Sequence, residues 1–336
     1  MPNELIANTR KSFEENLKDN VCALCPAHIP GLRDMVAYHF GWDDEVLVPG
    51  KRLRPLFLIL VYASLGGEPE EAFQAGSALE VLHNFTLIHD DIQDKGEMRH
   101  GHPALWTRVG VPLAINVGDY LAGLSQSLMG NLPDSFSIET QKRAMHEFQE
   151  ASLGVIQGQQ LDIEFEQADQ IGVDEYISMI GLKTARLFSA AFRIAAILKG
   201  HEDEYKHKLG QIGTDLGLGF QIQDDYLGIW GITAETGKST NTDLLTRKKT
   251  FPAVTALAHS ESFRELWKRE NDENLVDEMK AFFGRSAIRE DTLNLARAYF
   301  INAQTNLNEL LPVDNQFSQA LLSLVTAMFS PILTDS

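Results

Sequence analysis

The chain has 336 residues, 44% of them hydrophobic, enough for a sizeable core, so a disordered polypeptide is excluded. Lys and Arg number 29 against 47 Asp and Glu, a net charge of −18. That balance excludes the basic footprint of a nucleic-acid binder and gives no polybasic patch for anionic lipid.

Glu4, Arg10, Lys11, Glu14 and Glu15 interrupt the first twenty residues, so no secretory signal is expected there. Cys22 and Cys25 are the only cysteines. One C-x-x-C pair rules out a disulfide framework, and two free thiols point to a reducing cytoplasm. The apolar stretch Leu56 to Leu65 is too short to span a bilayer, and no transmembrane segment is expected. The next stripe, Ala75, Leu79, Leu82, Thr86, Asp90 and Asp94, recurs at helical spacing. Turn signals follow at Pro103, Gly110 to Pro112 and Pro133-Asp134. No proline then occurs until Pro252. Three more helical stripes fill that interval: Met145 to Ile163, Ile177 to Ile194, and Ile212 to Leu227. From Ser260 to Ser336 only helical patterning is readable. No run of alternating strands stands out, so one all-α domain spanning residues 1–336 is expected.

Several stripes start apolar and turn polar on the same face. Thr86, Asp90 and Asp94 continue the Leu79 and Leu82 face, Lys183 sits between Ile180 and Leu187, and Asp224 follows Phe220 by one turn. Singly, each suits a helix emerging into solvent or a snorkelling lysine. Together they point to a central cavity, greasy at one end and charged at the other. Asp90 and Asp94 are one turn apart, with Asp91 to one side, and like charges that close call for a cation. One or two carboxylates, completed by water and phosphate, suit Mg²⁺. A second acidic pair, Asp224-Asp225, lies on another helix.

These motifs resemble those of the trans-isoprenyl (polyprenyl) diphosphate synthase family, in the family's order, from about Gly50 to Pro252. The segment G-K-R-L-R-P (50–55) looks like its first basic motif; Lys51 and Arg54, with His83, are then implied to bind the diphosphate of isopentenyl diphosphate. H-D-D-I-Q-D (89–94) resembles the first aspartate-rich motif. By that resemblance Asp90 and Asp94, supported by Asp91, hold Mg²⁺ against the allylic diphosphate, which Arg99 also contacts. G-Q-Q-L-D and K-T match segments supplying Gln159, Asp162, Lys183 and Thr184. F-Q-I-Q-D-D (220–225) resembles the second aspartate-rich motif, with Gln221, Asp224 and Asp225. Lys238 and Lys248 match the lysine segment that closes over the allylic diphosphate. Three departures stand out: His100 where a second arginine is usual, Gly228 where the second motif ends in a carboxylate, and Asn241 where glycine is common.

The resemblance implies a head-to-tail condensation. The allylic diphosphate departs, Lys183, Thr184 and Gln221 stabilise the cation left behind, and isopentenyl diphosphate attacks it. It also implies a homodimer. Phe85 lies five residues before Asp90, about 7.5 Å down the helix. With Thr86 and Leu82 it is expected to limit the tail; by the resemblance, an aromatic there with a small neighbour implies geranylgeranyl diphosphate, then farnesyl diphosphate. Two alternatives stay open: a class I terpene cyclase on the same fold, and a non-catalytic regulatory subunit of a heteromeric synthase. His89, pointing about 100° from Asp90, is expected to be structural, as is Asp119.

Overall fold

A computed structural model describes residues 2–42, 50–231, 242–270 and 274–333. Lys238 and Asn241 lie outside the described residues. The elements are helical almost throughout, as the stripes predict. The first ten long helices and short connectors run α1 (Pro2–Leu24), α2 (Pro30–Phe40), α3 (Leu53–Ser64), α4 (Phe73–Gln93), α5 (Leu105–Val109), α6 (Val111–Gly130), α7 (Ile138–Gln167), α8 (Val173–Ile180), α9 (Arg186–Leu198) and α10 (Asp203–Trp230). Among the described residues six further helices follow, the last being Gln316–Leu333.

Two compact units are present. The first comprises residues 1–152, 190–210 and 310–324; the second comprises 153–189, 211–309 and 325–336.

In the first unit, α1 buries Ile6, Phe13, Leu17 and Val21 along one stripe. The stretch expected to be too short for a membrane is α3, and Pro55 to Ser64 are all buried. A helix apolar on every side belongs in a core. Arg52 starts it in the left-handed region, with φ 50°. On α4 the apolar part of the stripe, Ala75, Leu79 and Leu82, is buried, and exposure rises through Asp90 to Asp94. His89 leaves that face and lies on α6. A Cβ added at Gly118 would come within 2.3 Å of its ring, so only glycine admits the contact. Its Nε2 is 3.3 Å from the Ile115 carbonyl and 3.6 Å from Asp119.

The only strands among the described residues are Met98–Arg99 and His102–Pro103, an antiparallel pair the sequence reading did not foresee. His100 (φ 52°) and Gly101 (φ 83°) form its two-residue turn. Positive φ at both central positions is the geometry whose twist matches a tight hairpin.

In the second unit, α8 continues through one π turn, Gly181–Ala185, into α9. Two glycines admit that turn. A Cβ at Gly158 on α7 would lie 2.2 Å from the Lys183 nitrogen, and one at Gly217 on α10 would lie 2.4 Å from the Ala185 Cα. A separate apolar cluster gathers Ile229, Leu244, Leu257, Phe263, Trp267 and Phe283.

Helix Gln316–Leu333 is long and apolar enough to cross a membrane by length and composition alone, which the sequence reading did not flag. Its Ala320, Leu321, Val325, Phe329 and Ile332 are fully buried along one stripe, other positions are exposed, and Pro331 lies inside it.

Candidate functional site

The first unit carries a basic cluster built on a buried scaffold. Arg52 is 5% exposed and pairs with Glu14 and Glu80, each at 2.8 Å. Burial opposes its charge, but the two carboxylates outweigh this and hold it above its ordinary range. Glu80 Oε1 also accepts from Asn84 at 3.2 Å. This scaffold fixes the start of α3 against α4. It presents Lys51, which is exposed, and Arg54, whose Nη1 lies 2.9 Å from His83 Nε2. Burial lowers Arg54 to about 10 and pushes His83 well below the usual imidazole range, with Arg54 adding to the second effect. A neutral imidazole beside a guanidinium accepts from it and fixes its direction. His100 joins the cluster: a Cβ at Gly50 would lie 3.4 Å from Arg52 Nη1 and 3.9 Å from His100 Nε2. His39 sits in the same field, and burial first, then Arg99 and His100, lowers it to about 3.

Arg99 is a second cation in the same field, held by different partners. Its Nε lies 3.0 and 3.1 Å from the two Asp91 oxygens, Nη2 also donates to Asp91, and Nη2 is 3.9 Å from Asp90. Asp91 is 4% exposed, and burial raises its pKa despite Arg99. Asp90 is half-buried and Asp94 exposed, one turn apart at the end of α4, where Asp94 N donates to the Asp90 carbonyl at 2.8 Å. Thr86 turns its hydroxyl back to the His83 carbonyl at 2.7 Å. Phe85 is half-buried and meets His89 edge-on with centroids 4.9 Å apart, while Leu82 is buried below it.

The second unit carries the other group. Lys183 and Thr184 lie on the π turn, a helix irregularity that recurs at functional sites. Lys183 Nζ pairs with the buried Asp162. Thr184 Oγ1 donates to Gln221 Oε1 at 2.8 Å, and Gln221 Nε2 donates to Asp225 Oδ1 at 3.0 Å. Asp225 Oδ2 accepts from the Tyr176 hydroxyl and, at 2.8 Å, from Phe251 N. Burial pushes Asp225 up to about 7 against those three donors. Asp224 is exposed beside it, and Gln159 is half-buried on α7. Lys248 lies in the turn after helix Thr242–Leu245.

The more open carboxylates are Asp90 and Asp94 in the first unit and Asp224 in the second. Asp91 and Asp225 are buried and accept from protein donors. Among the described residues, no group of three or more His, Cys, Asp or Glu is gathered to hold an ion by protein ligands alone. Few hard oxygen donors, with water and phosphate completing the shell, is how Mg²⁺ is commonly bound.

Sequence reasoning missed Arg52, Glu14, Glu80, His39 and Tyr176. For Arg52 the signal was a third basic residue inside G-K-R-L-R-P. For Tyr176 it was a hydroxyl-bearing aromatic immediately before the Ile177 to Ile194 stretch.

The polyprenyl synthetase family pattern matches residues 42–283. The chain is 37% identical over 276 residues to the geranylgeranyl diphosphate synthase of Sulfolobus acidocaldarius, covering 78% of this chain and 81% of that one. It is 35% identical over 238 residues to a (2E,6E)-farnesyl diphosphate synthase of Mycobacterium tuberculosis, covering 69% of this chain and 65% of that one. The crystal structure of a polyprenyl synthetase from Streptomyces coelicolor A3(2) is similar with a TM-score of 0.85 and 31% identity, covering 98% of this chain and 99% of that one.

Proposed function

The chain belongs to the polyprenyl synthetase family, and from that premise we propose that it condenses an allylic diphosphate with isopentenyl diphosphate, head to tail and trans. The observation that carries this reading is the presence of two distinct cationic groups in the first unit. Arg54, oriented by His83, with Lys51 and His100, is one; Arg99, held on Asp91, is the other. Two diphosphate substrates need two such groups, whereas a terpene cyclase needs only one. Asp90, Asp94 and Asp224 are all present, which speaks against a regulatory subunit without chemistry of its own.

In this reading Lys51, Arg54, His83 and His100 bind isopentenyl diphosphate. Arg99, Lys248 and Lys238 bind the allylic diphosphate, whose departure leaves an allylic cation. Asp90, Asp94 and Asp224 would hold Mg²⁺. When bound, the ions neutralise charge developing on the leaving diphosphate. Lys183 and Thr184, seated by Gly158 and Gly217, place polar groups toward the cation, and Gln221 fixes Thr184. Asp162 orients Lys183, and Gln159 lies one turn before it on α7. Preorganised dipoles of this kind stabilise a transition state without reorganising.

Phe85 is assigned as the stop for the growing tail along α4, with Leu82 below it. A phenyl stop one and a half turns below Asp90 favours geranylgeranyl diphosphate as product, with farnesyl diphosphate next. A single domain of residues 1–336, a cytoplasmic location and a homodimer complete the proposal. The free Cys22 and Cys25 support the location, and exposed Val111 and Ile115, one turn apart on α6, support the dimer.

Incubating the purified protein with Mg²⁺, labelled isopentenyl diphosphate and each of the dimethylallyl, geranyl and farnesyl diphosphates tests the reading. Expected is a linear prenyl diphosphate lengthened in five-carbon steps. A cyclic hydrocarbon formed without isopentenyl diphosphate, or no turnover at all, overturns it. The Phe85→Ala variant should give longer products, and an unchanged product distribution would remove Phe85 from the tail stop.

A further inference from the structure

The hairpin that carries Arg99 and His100 is tied to a different element at each of its parts. Its base is closed by Ala104 N, which donates to the Glu97 carbonyl at 2.8 Å, and by Trp106 Nε1 on α5, which donates to the Gly96 carbonyl at 2.8 Å. The first strand is held on α4 through Arg99 and Asp91. The second strand is held on α2, where the Tyr38 hydroxyl donates to the Pro103 carbonyl at 2.6 Å. Pro103 faces Met98 in the ladder, one pair away from Arg99 and His102, which flank the turn. Arg108 on α5 covers the Tyr38 ring, its guanidinium carbon 4.0 Å from the centroid, a range at which a cation is attracted to an aromatic face. The chain after the turn therefore grips Tyr38 twice, at the hydroxyl and over the ring.

Two residues on, the same helix meets the start of α3. The Phe40 carbonyl accepts from Arg52 Nη2 at 3.5 Å, and the Arg52 guanidinium lies over the Phe40 ring, 5.5 Å from its centroid. Phe40 stacks on Trp42 at 4.4 Å, and Trp42 Nε1 donates at 2.9 Å to Glu14, the acid that also holds Arg52. Thus α2 joins the two segments that supply the basic cluster: the start of α3, with Lys51 and Arg54, and the hairpin, with His100. These segments meet at Gly50, where a Cβ would lie 3.9 Å from His100 Nε2. Of the two ties on the strands, Arg99 on Asp91 is a charged pair that an anion bound to Arg99 would share. The Tyr38 tie is neutral and reaches only the backbone.

We propose that Tyr38 is a positioning residue: it fixes the hairpin so that His100 meets the diphosphate of isopentenyl diphosphate beside Lys51 and Arg54. This rests on the prenyltransferase reading for the substrate, but the tie itself does not. His100 sits at φ 52°, a left-handed conformation that a non-glycine residue keeps only where its surroundings hold it. Tyr38 supplies that hold from the second strand, while Arg99 keeps its own carboxylate on the first. Loss of the hydroxyl therefore loosens His100 more than Arg99.

The test compares the full-length wild type with Tyr38→Phe, His100→Ala and the double variant Tyr38→Phe/His100→Ala. Tyr38→Phe keeps the ring under Arg108 and removes only the hydroxyl. Hydrogen exchange at the Ala104 amide, which closes the hairpin, reads the tie without any turnover. Steady-state kinetics then separate KM for isopentenyl diphosphate from KM for the allylic diphosphate. In Tyr38→Phe, Ala104 exchange and the isopentenyl diphosphate KM should each rise about fivefold, the factor that one neutral hydrogen bond supplies. The allylic KM should change by less than about twofold. In the His100→Ala background, removing the hydroxyl should add no further rise in the isopentenyl diphosphate KM, because coupled residues do not add. Wild-type exchange at Ala104 in Tyr38→Phe overturns the tie. An unchanged isopentenyl diphosphate KM, parallel rises in both KM values, or the same rise with and without His100 overturns the positioning role. If the prenyltransferase reading itself fails, the wild type gives no condensation and the positioning role falls with it, while the exchange comparison still decides the tie.

Discussion

Asp90-Asp91 and Asp224-Asp225 are written alike, yet the protein holds them in different ways. In each pair the first acid is the more open and the second is buried, Asp91 at 4% and Asp225 at 5% exposure. Asp91 is countered by a full charge, the Arg99 guanidinium. Among the described residues Asp225 is held by neutral donors: a phenol, an amide side chain and a backbone N–H. Burial raises both, but Asp225, lacking a cation, reaches about 7. The first arrangement couples the acid to the arginine proposed to bind the allylic diphosphate. The second couples three segments of chain through one carboxyl group.

The largest effect that would break this contrast is in the second pair. Asp225→Ala leaves the Tyr176 hydroxyl and the Phe251 N–H without their acceptor. An unsatisfied buried polar group costs about 1–3 kcal/mol, so the loss should reach several kcal/mol. Urea unfolding should show it, and a loss below about 1 kcal/mol would mean Asp225 joins nothing. Asp91→Asn should act differently. It keeps the shape and removes the charge, releasing Arg99 from a charge-assisted bond. Stability should fall by only about 1–2 kcal/mol, while KM for the allylic diphosphate changes more than KM for isopentenyl diphosphate. Equal changes in both would place Arg99 outside the allylic site.

Much of this arrangement was legible because it is periodic. The Ala75 to Asp94 stripe reads directly as α4, and a 100° step takes His89 off the Asp90 face onto Gly118. What the stripes conceal are pairings that periodicity does not encode. Arg52 meets Glu14 across 38 positions and Glu80 across 28. Tyr176 meets Asp225 across 49. Nor does a glycine within a helix announce what it admits, so Gly158 and Gly217 read as ordinary until the close approach of the π turn is seen. The His100-Gly101 hairpin escaped for a related reason: its strands are two residues each, too short for any alternation.

The smallest and most local test concerns acid. In the first unit lie two half-buried histidines, His39 and His83, and desolvation is the main cause of both low values. Beside the second pair the buried group is a carboxyl with a raised pKa. For His39 the folded pKa, about 3, is below the unfolded value near 6.5, so between those limits the unfolded chain binds the extra proton. Stability from this group is complete above about pH 6.5 and is lost as pH falls toward 3. Each such histidine contributes a slope of up to about 1.4 kcal/mol per pH unit within the window. The raised carboxyl has the opposite sign and gains relative stability over the acid side of its own range. Lowering the pH from 7 to 5 should therefore increase amide exchange in α2 and the first turns of α3 before it does so in α8. His39→Gln, which carries an amide in place of a titrating ring, should flatten the acid slope of the first region and leave the second unchanged. An acid slope identical in wild type and His39→Gln would show that His39 does not set the difference between the two regions.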